Sequence, residues 1–80
     1  MAASELLSLV RARPFVPFRI VTSDGTTYEV RHPELVMVGI ATAVVGYPDP
    51  KQPGGYERFD IVYIRHIVRL EPQAQPVNPA

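Results

Sequence analysis

The stretch from Phe18 to Val30 constrains this chain more than any other. Phe18, Ile20 and Thr22 alternate with Arg19, Val21 and Ser23, and after Asp24-Gly25 the alternation resumes as Thr26, Tyr28 and Val30. Period-two patterning on both sides of an Asp-Gly step is the signature of a β-hairpin. A loop of only Asp24-Gly25 sets Ile20 opposite Glu29 and Phe18 opposite Arg31, which mixes apolar and charged side chains on one face. Lengthening the loop to Ser23-Asp24-Gly25, with Gly25 left-handed in a G1 bulge, pairs Phe18 with Val30, Ile20 with Tyr28 and Thr22 with Thr26. The other face then sets Arg19 opposite Glu29, so this register satisfies both faces at once.

Ahead of the hairpin, Ser4-Glu5-Leu6-Leu7 begins like a helix: Ser4 can cap a first-turn amide and Glu5 suits the positive end of the dipole. Leu6, Leu7 and Val10 share one face, Arg11 and Arg13 suit the last turn, and Pro14 predicts an end near Ala12. Such a short helix is not stable alone and must dock. Pro14-Phe15-Val16-Pro17-Phe18 reads as an extended linker whose two aromatics anchor the helix to the sheet.

Beyond the hairpin, His32-Pro33-Glu34 breaks the second strand. Leu35-Val36-Met37-Val38 and Ala43-Val44-Val45-Gly46-Tyr47 read as two further strands, both apolar on successive residues, as strands buried on two faces are. Pro48 to Arg58 reads as a loop, Phe59 to Tyr63 as a strand or a single helical turn, and Ile64 to Glu71 as an alternating strand with Ile64, His66, Val68 and Leu70 on its apolar side. From Pro72 the chain has too little to bury and is expected to be disordered, which leaves one domain over residues 1–71 and a tail over 72–80. One helix followed by short strands predicts a mainly β fold: an N-terminal helix and a five-stranded antiparallel small barrel of the SH3-like or Sm-like kind, closure removing the exposed edges. An α+β roll with an open sheet is the alternative.

Composition excludes several classes of function. With no cysteine in 80 residues there is neither a disulfide framework nor a thiolate metal site, and no cofactor is expected. The longest charge-free apolar stretch, Leu35 to Tyr47, is well short of the roughly 20 residues needed to cross a bilayer, so no membrane partner is expected. Met1 leads into Ala-Ala-Ser-Glu without a basic and then apolar run, which makes a cytoplasmic address the expectation. Ser4, Ser8 and Ser23 have no nucleophile context, and His32 and Glu34 beside Pro33 are two ligands without a third, so neither an enzyme nor a metal site is expected.

What remains is binding. A formal net charge of zero removes the general basic field of a strong nucleic-acid binder, although all of the eight basic residues except Lys51 are arginine. Tyr47 and Tyr56 bracket the Pro-Gly loop as candidate stacking groups, and Tyr63, Arg65, His66 and Arg69 form a second candidate set near the C-terminal strand. Leu35 to Tyr47 points to self-association, because so short a chain has little material to cover two apolar faces. The expectation is a homo-oligomeric, non-enzymatic binding or assembly module, meeting protein partners through strand edges and the 48–58 loop. RNA is the alternative partner.

Pro14-Phe15-Val16-Pro17-Phe18, Asp24-Gly25, His32-Pro33-Glu34 and the apolar segment Ile61 to Leu70 together resemble a group of short uncharacterised bacterial proteins, over about Glu5 to Glu71. That resemblance implies no activity. The order of elements is also similar to the Sm-like fold, including its bacterial Hfq branch, with Val62-Tyr63-Ile64-Arg65-His66-Ile67 as the closing segment. In the Hfq pattern the tyrosine is followed by Lys-His-Ala-Ile, so the histidine here is displaced by one residue. The Sm-like resemblance implies an RNA-binding ring in which Arg65, His66 and Arg69 contact phosphate and Tyr63 or Tyr47 contacts a base.

Overall fold

The computed structural model describes residues 3–73 of the chain. Helix α1 (Ala3–Arg11) is followed by strands β1 (Phe18–Thr22) and β2 (Thr27–Val30), a single 3-10 turn (Pro33–Leu35), and strands β3 (Val36–Val38), β4 (Thr42–Pro48) and β5 (Tyr56–Tyr63). A second 3-10 turn (Ile64–His66) then leads into β6 (Ile67–Pro72). Among the described residues no helix is long and apolar enough to cross a membrane.

The helix buries Leu6 completely and lies against β3. Arg13 caps its C-terminal end, the guanidinium donating to the carbonyl oxygen of Val10 in the last turn at 3.0 Å and to that of Ala12 just beyond it at 2.7 Å. Ala3 is already helical, so Ser4 sits inside the first turn rather than at the cap. In the linker, the ring of Phe15 lies 6.0 Å from that of buried Phe18 and tilts 59° to it, which ties the helix to β1.

The hairpin forms in the register that both of its faces require. Phe18 pairs with Val30, Ile20 with Tyr28 and Arg19 with Glu29. Gly25 takes φ 87° and donates its N–H to the Thr22 carbonyl at 2.9 Å. The Asp24 carboxylate accepts from the Thr22 hydroxyl and, at 3.0 Å, from the Thr26 N–H.

The strands form two three-stranded antiparallel sheets, β2-β1-β6 and β3-β4-β5, and not the single five-stranded barrel expected from their order. The reason lies at His32-Pro33-Glu34. Pro33 has no N–H for a ladder, and the turn uses the Leu35 N–H locally, bonded to the His32 carbonyl at 3.1 Å, so β2 and β3 become separate strands. The two inner faces and the helix share one core, in which Leu6, Phe18, Ile20, Val30, Val45 and Val62 are among the buried side chains.

Three further expectations are corrected. Phe59 to Tyr63 is strand, in a β5 that begins at Tyr56, so the loop covers residues 49–55 rather than Pro48 to Arg58. That loop is organised, with the Asp49 N–H bonded to the Gly55 carbonyl at 3.0 Å and Gly54 at φ 80°. The alternation expected from Ile64 onward is interrupted by the second 3-10 turn, whose spacing of three buries Ile64 and Ile67 and leaves His66 and Val68 exposed. Finally, Pro72 pairs with Phe18 and the Gln73 N–H bonds the Pro17 carbonyl at 2.7 Å, so β6 runs past the expected boundary at residue 71. The rest of the expected tail, residues 74–80, lies outside the described residues.

The hairpin tip makes stability pH-dependent. Hydrogen bonds, first from the Thr22 hydroxyl and then from the Thr26 N–H, lower the Asp24 carboxyl from 3.8 to about 2. A depressed carboxylate contributes fully above its unfolded value and progressively less as pH falls through the folded one. The melting temperature of the wild type is therefore expected to exceed that of Asp24→Asn at neutral pH, and the gap to close between about pH 4 and about pH 2. Parallel thermal melts showing a constant gap across that window contradict this role.

Candidate interaction surface

The outer face of the β3-β4-β5 sheet is apolar from edge to edge. Alternation along β4 turns Ala43 and Val45 into the core and Val44 outward, and the register pairs Met37 with Val44 and Val44 with Ile61. These three side chains make one row across all three strands. Phe59, opposite Gly46, and Tyr63, opposite Thr42, flank the row on β5. Met37 is 63% exposed, Ile61 66%, Phe59 55% and Tyr63 48%. None of these register positions carries a charge.

Gly46 is buried in this face because two rings lie over it. A Cβ there would stand 2.9 Å from two ring carbons of Tyr56 and 3.2 Å from one of Phe59. The Tyr56 and Phe59 ring centroids are 5.0 Å apart, and the Tyr56 hydroxyl donates to the Glu34 carbonyl at 3.2 Å. This aromatic corner joins the start of β5 to the first 3-10 turn.

The outer face of the other sheet is built in the opposite way. Arg19, at its centre, pairs with Glu29 on β2 and Glu71 on β6 in register, and contacts Glu29 at 3.3 Å. Arg31 also reaches Glu29 at 3.3 Å, and Arg69 bonds Glu71. Arg31 and then Arg19 hold the Glu29 carboxyl below its ordinary value. One outer face is closed by compensated charge, and the other offers uncharged side chains to solvent.

β5 also has an open edge. Among the described residues it is hydrogen-bonded on one side only, to β4. The Gly39 N–H bonds the Thr42 carbonyl and the Ile64 N–H bonds the Ala41 carbonyl, which fixes the parity of both ladders. Ala43, Val45 and Tyr47 bond toward β5, where Val62, Asp60 and Arg58 answer them. The backbone N–H and C=O groups of Phe59, Ile61 and Tyr63 therefore point to the unpaired edge.

The six residues expected to bind fall into separate places. Tyr63, Arg65 and His66 come together: the Arg65 guanidinium carbon is 5.2 Å from the Tyr63 ring centroid, and the Tyr63 and His66 rings meet edge-on at 5.7 Å. A recess of about 310 Å³ beside them is lined by Ser23, Asp24, Tyr28, Tyr63 and His66 among others. Tyr47 is half-buried beneath Arg58, whose guanidinium carbon is 4.3 Å from its ring centroid. Burial raises the Tyr47 and Tyr28 hydroxyls above the ordinary phenol value, and the Asp60 carboxylate adds to this. Tyr56 belongs to the Gly46 corner, and Arg69 is engaged with Glu71 on the other sheet, apart from Arg65. His32 and Glu34 are exposed on either side of Pro33, and among the described residues no three acidic, histidine or cysteine side chains converge as a metal site would need.

Met37 and Val44 lie within Leu35 to Tyr47, the stretch expected to self-associate, whereas Phe59 and Ile61 were not among the expected binding residues. The alternation of Phe59, Ile61 and Tyr63 is present in the sequence, but a segment that reads equally as strand or helical turn assigns them no common face. Compared with known protein families, curated proteins and solved structures, the chain matches none of them.

The corner over Gly46 can be tested directly. Gly46→Val is expected to displace the Tyr56 ring, break its bond to Glu34 and lower stability by about 1–3 kcal/mol, the usual cost of overpacking. In a Tyr56→Ala background the same substitution should cost clearly less, since the clashing ring is gone. Equal losses in both backgrounds, measured by denaturant unfolding, contradict the packing described.

Proposed function

We propose that this protein is a non-enzymatic assembly module that associates through the apolar outer face of β3-β4-β5 and the open edge of β5, with a second copy of itself as partner. The observation that carries this reading is the contrast between the two outer faces. Arg19, Glu29, Arg69 and Glu71 close one face with paired charge, whereas Met37, Val44, Phe59 and Ile61 leave the other uncharged beside an unpaired strand. Burying one exposed side chain of this size is worth about 1.5–3 kcal/mol, so a few of them suffice to drive association. The edge exposes Phe59, Ile61 and Tyr63, and with no proline within β5 and its bulge confined to Glu57 near its start, the stretch from Phe59 to Tyr63 is open to pairing. The 49–55 loop stands at the rim of this surface and can add contacts.

A second reading is an RNA-binding ring of the Sm-like kind. It is supported by the Tyr63, Arg65 and His66 cluster, which combines an aromatic face with an exposed guanidinium, and by the strand succession. Taking β2 and β3 as one strand broken at Pro33, the order β6-β1-β2 and β3-β4-β5 is that of a five-stranded Sm-like sheet. The neutral net charge weighs against it.

Light scattering over a wide concentration range separates these readings when combined with the ultraviolet absorbance ratio of the untreated preparation. Wild type is expected to exceed the monomer mass and to carry no nucleic acid. Ile61→Lys, which sets a charge in the middle of the apolar row, is expected to shift it toward monomer, and Arg19→Ala on the other face is not. A wild type that stays monomeric throughout overturns the assembly reading. Salt-dependent RNA retention that is lost in Arg65→Ala favours the second.

A further inference from the structure

We infer that two copies join by antiparallel pairing of β5 with β5, with Phe59 on the two-fold axis, so that the sheets merge into one six-stranded sheet running from β3 of one copy to β3 of its mate. The inference rests on the self-assembly reading above and adds the partner element and its register.

From Arg58 to Tyr63, beyond the bulge at Glu57, the odd-numbered residues of β5 direct backbone groups to the free edge, so a symmetric antiparallel mate pairs odd with odd there. The registers centred on Phe59, Asp60 and Ile61 keep the axis near the middle of the strand, whereas one centred on Arg58 sets the two Arg58 side chains directly opposite each other. With the axis at Asp60, the two Asp60 side chains stand directly opposite each other, and like charges in a close cross-strand pair are destabilising. With the axis at Ile61, residues 59–63 find partners before the chain turns into the 3-10 helix at Ile64. This register also sets Asp60 against Val62 and leaves Arg58 beyond the paired segment.

With the axis at Phe59, Arg58, Phe59 and Asp60 pair in the regular part of β5, and the mate's Ile61 and Val62 run alongside Glu57 and Tyr56, where β5 bulges against β4. Each Arg58 then faces the Asp60 of the other copy in the close, non-hydrogen-bonded positions, which gives two opposite-charge pairs related by symmetry. Within one chain Arg58 and Asp60 already lie on the same side of the strand at 3.7 Å, so the four groups form a compensated cluster on the inner side of the joined strands. On the outer side Phe59 meets Phe59 and joins the two apolar rows through Met37, Val44 and Ile61, with the Glu57 of each copy, at its bulge, beside the Ile61 of the other. Isologous pairing closes on itself, so β5 has no further edge to offer and the assembly stops at a dimer through this strand.

The chain has no cysteine, so single cysteines read the register without background. Opposed residues in a hydrogen-bonded antiparallel pair have Cα atoms about 5.5 Å apart, inside the range of roughly 4.4–6.8 Å that a disulfide spans. Full-length Phe59→Cys, oxidised at dilute concentration, is therefore expected to form a covalent dimer in high yield. Ile61→Cys is not, because in this register the two positions are about 14 Å apart along the strands. Asp60→Arg is expected to weaken dimerisation about tenfold by turning both cross-strand pairs repulsive, and the swap Arg58→Asp with Asp60→Arg to restore it to within a few-fold of wild type.

Preferred crosslinking at position 60 or 61 overturns this register while leaving self-assembly in place. A larger ring in which none of the three positions crosslinks also overturns it, by showing that β5 meets a different strand. A wild type that stays monomeric at every concentration overturns the pairing together with the reading on which it rests.

Discussion

The fold depends on the position of β1 between β2 and β6. Its one edge takes the hairpin partner a few residues away, and its other edge takes the last strand, with Phe18 opposite Pro72 and the Gln73 N–H on the Pro17 carbonyl. That long-range ladder brings the end of the described chain back beside the linker that follows the helix. The loop entropy of closing it is offset by the side chains it buries: Phe18 and Ile20 from β1, Val30 from β2 and Ile67 from β6 all enter the shared core. Phe15 of the linker meets Phe18 of β1, while α1 itself lies against β3 and puts Leu6 into the same core.

With one face of each sheet committed to the core, the outer faces become the variable part of the molecule, and they diverge. On the β2-β1-β6 sheet, charged residues occupy adjacent register positions and neutralise one another across strands. On the β3-β4-β5 sheet, the corresponding positions hold Met37, Val44 and Ile61. Two of the three charges on β5, Arg58 and Asp60, lie with Tyr47 on its other side, and the third, Glu57, falls at the bulge near its start. The same strand thus separates an apolar surface from a charge-compensated one and keeps its backbone edge unpaired, a combination suited to strand-to-strand recognition rather than to chemistry at a pocket.

The elements legible in the sequence were those with a single consistent local solution. The hairpin register followed from Phe18, Ile20, Arg19 and Glu29 because any slip turns apolar side chains to the wrong face. The helix end followed from Pro14, and the break after β2 from Pro33, since each removes a hydrogen bond or a conformation locally. Less legible were the segments whose pattern fits two conformations. Phe59 to Tyr63 alternates and is also short enough for a turn, and Ile64 to His66 continues that alternation while adopting 3-10 geometry, which is why His66 and Val68 are exposed instead of half-buried.

Local chemistry therefore determined, from sequence alone, a mainly β chain with one short N-terminal helix, the pairing of its first hairpin, and the positions where strands stop. Only the tertiary structure decided that the strands form two sheets, that Tyr63, Arg65 and His66 gather while Tyr47, Tyr56 and Arg69 go elsewhere, and that Met37, Val44 and Ile61 align across three strands. The physical reason is one of range. Turns, caps and alternation depend on neighbours a few residues apart, whereas a cross-strand row depends on register between segments that meet only when the core has formed, and no single strand carries that register within itself.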